Sequence, residues 1–238
     1  MYSELAGVTV ILTREAEDNA PLAARLRDWS ADVVELPCVR VEPLGDTGPL
    51  RDALAALGED DWLVVTSRHG ADAVARCGQI RAAIAAIGGA TAERLREHGL
   101  RVAFQPSEPS GAALARELPP RPGVVLLARS DRALPDLPAG LRERGLAMRE
   151  VVAYRTIAEA QGDVALVREL LSSQGPVSVM FHSPSAVEGM LGAVEPLLLA
   201  RASIHVLGRS TLRAVRDALG VEVDVSLMEE EGARVAHR

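Results

Sequence analysis

The residues with chemical potential in this 238-residue chain fall in short clusters, most of them following a hydrophobic run. They are Thr13-Arg14, Thr66-Ser67-Arg68, Gly88 through Thr91, Arg129-Ser130, His182 through Ser185, and Gly208 through Thr211. Small and hydroxyl side chains predominate. A turn that opens a helix points its free backbone N–H groups outward, and these favour an anion. Arginine's planar fork suits carboxylates and keeps its charge at any working pH. The chemistry on offer is recognition of a small, multiply anionic molecule. The same residue types have structural uses, because Ser and Thr are ordinary N-caps and Gly an ordinary tight turn. A single turn of this kind reads as a cap; several on one side of two sheets point to a shared anion site.

What the chain lacks narrows the chemistry further. All 26 basic residues are arginine. That excludes a Schiff-base lysine, a pyridoxal phosphate anchor and a phosphate-loop lysine. Cys38 and Cys77 form neither a disulfide framework nor a metal spacing. With a net charge of −7 and no basic run, the chain is not expected to bind nucleic acid. No apolar run reaches the roughly 18 residues that span a bilayer. The start, Met1 to Leu5, has no basic region of a signal peptide. The expectation is a cytoplasmic monomer with no cofactor, no metal and no membrane association.

These clusters need elements to hold them. Val8–Leu12 reads as a buried strand, 18–29 as a helix with Leu22 and Leu26 on one face, and Ala31–Leu36 as the next strand. A helix near 48–57 precedes a strand at Trp62–Val65. Further strands are expected at 84–87, 101–104, 123–128, 147–153, 177–181, 203–207 and 221–225, with helices between them. Such alternation implies parallel sheets covered by helices on both faces. Ligands in such sheets bind beyond the carboxyl ends of the strands, where the clusters stand.

The two halves echo each other. Val10–Arg14 matches Val125–Arg129, Trp62–Ser67 matches Ser178–Ser183, and Ala86–Thr91 matches Val206–Thr211, in the same order and at nearly constant offset. A repeat this long means a duplicated domain rather than a solenoid.

The turns Val-Val-Thr-Ser (64–67), Ile-Gly-Gly-Ala-Thr-Ala (87–92), Phe-His-Ser-Pro-Ser-Ala-Val (181–187) and Val-Val-Ala-Tyr-Arg-Thr (151–156) resemble those of the uroporphyrinogen-III synthase family. The resemblance runs from Val8 to about residue 225. Gly89 and Arg209 stand where many members have proline, and His182 where threonine is frequent. The family converts the linear tetrapyrrole hydroxymethylbilane into cyclic uroporphyrinogen III, losing water and inverting ring D through a proposed spirocyclic intermediate, with no cofactor. The resemblance implies two flavodoxin-like domains interleaved in sequence, 1–36 with 158–238 and 43–150, joined by linkers at 37–42 and 151–157. It implies Tyr154 as the candidate general acid. Candidate substrate-binding residues are Arg14, Thr66, Ser67, Thr91, Arg129, His182, Ser183, Ser185, Ala186, Arg209, Ser210 and Thr211. His69 and His98 are expected on the surface. The competing reading is a non-catalytic module that binds an anionic small molecule in a regulatory role. Neither a dinucleotide fingerprint nor the acidic cluster of a receiver domain is present.

Overall fold

A computed structural model of the chain describes residues 5–220 and 225–228. In chain order the elements are β1 (Thr9–Leu12), α1 (Ala16–Asp28), β2 (Asp32–Glu35), β3 (Val39–Pro43), α2 (Gly48–Ala55), β4 (Trp62–Val65), α3 (Arg68–Ala75), β5 (Ala83–Ala86), α4 (Gly89–Glu97), β6 (Val102–Phe104) and α5 (Gly111–Glu117). There follow β7 (Val125–Ser130), α6 (Asp136–Glu143), β8 (Met148–Ala158), α7 (Val164–Ser172), β9 (Val177–Phe181), α8 (Pro184–Leu191), α9 (Pro196–Leu199), β10 (Ser203–Leu207), α10 (Arg209–Leu219) and β11 (Val225–Met228). The strand expected at 221–225 lies, but for Val225, outside the described residues.

The chain divides into two compact units, Met1–Arg40 with Ile157–Arg238, and Val41–Thr156. The first holds a five-stranded sheet of order β11-β10-β9-β1-β2, parallel throughout. Its central strands are mostly apolar, with Ser178 and His205 the buried polar exceptions on β9 and β10, as suits a doubly covered parallel sheet. Successive side chains point to opposite faces. Ile11, Val179, Phe181 and Val206 pack into one core, and Val10, Leu12 and Met180 meet Leu22 and Leu26 in another.

The second unit holds β3-β8-β7-β4-β5-β6, parallel from β8 to β6. Leu63, Val65, Leu126 and Ala128 face one core; Trp62, Val64, Val125 and Leu127 face the other. Without the edge strand β3, its order β6-β5-β4-β7-β8 superimposes term by term on β11-β10-β9-β1-β2. The three sequence echoes pair β1 with β7, β4 with β9 and β5 with β10, so each echo links strands in equivalent places.

The boundaries between the units, Arg40/Val41 and Thr156/Ile157, fall within the segments expected as linkers, and both segments are largely strand: β3 takes up most of 37–42, and 151–157 lies inside the eleven-residue strand β8. Arg129-Ser130 opens no helix, because β7 runs through Ser130 and α6 begins only at Asp136.

Candidate active site

In an open α/β sheet the crevice lies where neighbouring strands lead off in opposite directions. In the first unit that point is between β1 and β9; in the second it is between β4 and β7. The first pair of strands delivers Arg14, His182 and Ser183, and the second delivers Thr66, Ser67 and Arg129.

Ser67 and Ser183 occupy equivalent turns and do the same local work. Ser67 Oγ accepts the Gly70 N–H at 2.9 Å, and Ser183 Oγ accepts the Ala186 N–H at 3.2 Å. Each caps the following helix and keeps its own O–H to donate. The Ala186 side chain is buried and its N–H is committed to Ser183. Ser185 lies half-buried in the first turn of α8. Thr91 and Thr211, 5% and 1% exposed, turn their side chains inward. What these two turns present outward is Arg209, the half-buried Ser210 and the helix starts themselves. Gly208 adopts φ +82°, a left-handed conformation that glycine tolerates best. Gly88 is extended, but a Cβ there would lie 2.8 Å from Pro109 Cβ.

Arg14 is half-buried and pairs with Asp18 at 3.5 Å, while its carbonyl accepts a bond from Asn19 Nδ2 at 2.8 Å. His182 follows β9, beside β1. Both its ring nitrogens are buried with no hydrogen-bond partner. Burial, with Arg14's charge adding to it, pushes the imidazole pKa down to about 3, so the ring is neutral at working pH.

Arg129, a candidate substrate-binding residue, is held by groups of its own unit. It is 6% exposed, and its guanidinium donates to the Leu134 carbonyl and lies 3.5 Å from Glu150. Burial lowers the Arg129 pKa, and the charges of Glu150 and Tyr154 oppose that shift. Arg129 therefore sits close enough to the Tyr154 phenol to interact with its ionised form.

Tyr154 lies in β8 with its Cα opposite Ser130 and is 9% exposed. The backbone around it is fastened. Ser130 Oγ and Thr156 Oγ1 lie 2.7 Å apart, the Thr156 N–H donates to Asp131 Oδ1 at 2.9 Å, and the Asp131 N–H donates to the Tyr154 carbonyl at 3.3 Å. The Tyr154 side chain lines a cavity of about 230 Å³ with Leu44, Thr47, His69, Asp72 and Arg76.

His69 is not on the surface as the sequence suggests. It is half-buried, with its ring 5.7 Å from that of Tyr154. His98 does lie at the protein's edge, but with Nε2 2.6 Å from Asp72 Oδ1. Burial pushes the Asp72 carboxyl up, yet hydrogen bonds and charge from Arg94 and His98 outweigh it and hold the group below its ordinary value. Three residues lining this cavity were missed as site candidates: His69, Asp72 and Arg76. Their signal was the i, i+3, i+7 spacing that puts them on one face of α3. Among the described residues no cluster of His, Cys, Asp and Glu is arranged to hold a metal ion. No helix there is long and apolar enough to cross a membrane.

Paired doubly wound sheets, with arginines and hydroxyls at the strand ends and a tyrosine seated in a cavity, define a duplicated α/β protein built around small-molecule recognition. The family model for "Uroporphyrinogen-III synthase HemD" matches residues 20–230. A chloroplastic uroporphyrinogen-III synthase from Oryza sativa is 31% identical over 87% of this chain and 72% of its own length. The Synechococcus elongatus enzyme is 30% identical over 66% of this chain and 64% of its own, so the match spans under two thirds of that relative. In fold, a mutant uroporphyrinogen III synthase from Thermus thermophilus is similar at a TM-score of 0.59 and 22% identity, covering 94% of both chains. That from Helicobacter pylori is similar at 0.54 and 16%, covering 91% of both. The chain belongs to the uroporphyrinogen-III synthase family, a family of cyclising lyases.

Proposed function

We propose that this chain closes hydroxymethylbilane to uroporphyrinogen III, with inversion of ring D and loss of water. The observation that carries the reading is Tyr154, whose phenol lines a cavity in a member of that family. In this reading Tyr154 donates its proton to the departing ring A hydroxyl. The C–O bond breaks, water leaves, and the electron-rich pyrrole carries the resulting cation. Ring D attacks that carbon through its own bridge-bearing α-carbon, forming the spirocyclic intermediate. The bond from that α-carbon to the ring C methylene bridge then breaks, and the freed methylene adds to the other α-carbon of ring D. The proton lost there as ring D regains aromaticity returns to the phenolate. The buried Arg129 charge supports the transient phenolate, a role we favour over direct substrate binding.

The substrate's eight carboxylates call for many donors. Arg14 and Arg209 would meet some of them. The hydroxyls of Thr66, Ser67, Ser183, Ser185 and Ser210 would meet others, with the helix starts at Thr91 and Thr211 contributing backbone dipoles. A neutral His182 would offer one ring N–H. We further read the chain as a cytoplasmic monomer whose partner is this tetrapyrrole, with no cofactor and no nucleic acid.

The test is incubation of the purified protein with enzymatically generated hydroxymethylbilane, followed by separation of the type I and type III isomers. Type III product without added metal or cofactor is expected. A mixture identical to the protein-free control overturns the reading.

A further inference from the structure

The cavity beside Tyr154, at about 230 Å³, is smaller than a whole tetrapyrrole needs. Pockets that enclose complete drug-sized ligands run to about 300–1,000 Å³. Its lining is divided in character. Val41, Leu44, Leu50 and Ala153 supply an apolar wall, and the His69 ring supplies a flat one. Thr47 and Arg76 supply polarity. Arg76 is exposed and has no hydrogen bond or ion pair among the described residues. Asp72, one turn before it on α3, is engaged by Arg94 at 2.6 Å and His98 at 2.6 Å, so its charge is answered by those two groups. An unpaired cation at one side, an aromatic wall and a phenol together fit a flat, electron-rich ring that carries a carboxylate arm.

We infer that this cavity receives a single pyrrole of the substrate, ring A, with its hydroxymethyl carbon at Tyr154 and one acidic arm on Arg76. The assignment rests on the proposed function. His69 then sets the depth and tilt of the ring, and Arg76 sets its direction. The remaining three rings lie outside the cavity.

Two measurements test this. A free monopyrrole bearing one acetate and one propionate arm is titrated into ¹⁵N-labelled wild-type protein. Shifts are expected at the amides of Thr47, His69 and Arg76. In steady-state assays at low salt, Arg76→Ala should raise KM about tenfold and leave kcat within about twofold, with partial recovery in Arg76→Lys. Arg116→Ala, on α5 and outside the cavity, should change neither. An unchanged KM in Arg76→Ala, or monopyrrole shifts that map away from the cavity, overturns the assignment while type III product from the wild type keeps the synthase reading intact. If the wild type forms no type III product, the synthase reading falls, and the titration alone decides whether the cavity takes a pyrrole.

Discussion

The rings of His69 and Tyr154 lie 5.7 Å apart, inclined at 52°. The two reach this contact from different elements, His69 from the first turn of α3 after β4, and Tyr154 from β8, two strands away in the sheet. A tilted ring pair restricts where the phenol can swing. The proposed chemistry falls to the Tyr154 oxygen, whose ionised form the Arg129 charge is near enough to meet.

Removing that oxygen should separate chemistry from stability. Tyr154→Phe keeps the ring and its packing, so thermal unfolding should shift by no more than about 1 kcal/mol. Turnover should fall about 100-fold, the low end for a general acid, because the hydroxyl leaves readily from an electron-rich pyrrole. Single-turnover kinetics with an isomer assay checks this. Full turnover in the variant would move the acid role to bound water or to a substrate carboxylate.

His182 makes a prediction about pH. Its folded pKa, pushed down to about 3, lies below the ordinary value of 6.5. Between those values the unfolded chain binds a proton that the fold refuses, so stability rises with pH through that window and is lost as pH falls. The slope attributable to one such group approaches about 1.4 kcal/mol per pH unit. His182→Thr should flatten the wild-type curve of melting temperature against pH between 4 and 6.5. Parallel curves for the two proteins would show that the imidazole is protonated in the fold.

Two glycines should respond differently to the same substitution. A Cβ on Gly189 would lie 1.9 Å from the Cys38 carbonyl oxygen and 2.9 Å from the Glu159 nitrogen, both rigid backbone. Gly189→Ala must push α8 away and should cost about 3 kcal/mol. Gly208 has open space but a left-handed φ, so Gly208→Ala should cost about 1 kcal/mol through strain alone. Urea unfolding of both variants gives the comparison; equal costs would refute the packing account of Gly189.

The sheets were legible because their strands are short, apolar and closed by turn residues. Val10–Arg14 and Val125–Arg129 mark β1 and β7, which hold equivalent places in the two sheet orders, and the echo holds because both face the same packing problem. The length of β8 was not legible. Its second half, Ala153 to Ala158, mixes polar and apolar residues and contains no turn signal, so nothing local says that pairing continues. The burial of Arg129 was not legible because burial is a tertiary property: Glu150 and the Leu134 carbonyl, which hold it, come from later in the chain. His69 looked like a surface residue for the same reason, since the ring beside it comes from β8.

The sequence-distant halves of the first unit lead to the last prediction, which concerns which pieces of the chain fold alone. Both hydrophobic clusters that flank the second sheet, one around Leu63 and Leu126 and one around Trp62 and Leu127, draw all their residues from Val41–Thr156. A fragment 41–156 keeps β4 to β7, nearly all of β8, and the helices that cover both faces. It should fold and melt cooperatively. A fragment 121–238 keeps β9, β10 and β11 but loses β1 and β2, the other half of their sheet. Its β9 would be left with the whole row of backbone groups that pair with β1 unsatisfied. The cluster formed by Leu5, Val8, Val10, Leu12, Leu22 and Leu26 would vanish, exposing Met180. At about 25 cal/mol per Å² of apolar surface, losing one face of a sheet exceeds the few kcal/mol of margin a domain has. Circular dichroism melts and amide NMR dispersion on the two fragments provide the measurement. A cooperative melt from 121–238, with none from 41–156, would overturn the reading of Val41–Thr156 as a self-sufficient unit and favour a simple tandem division of the chain.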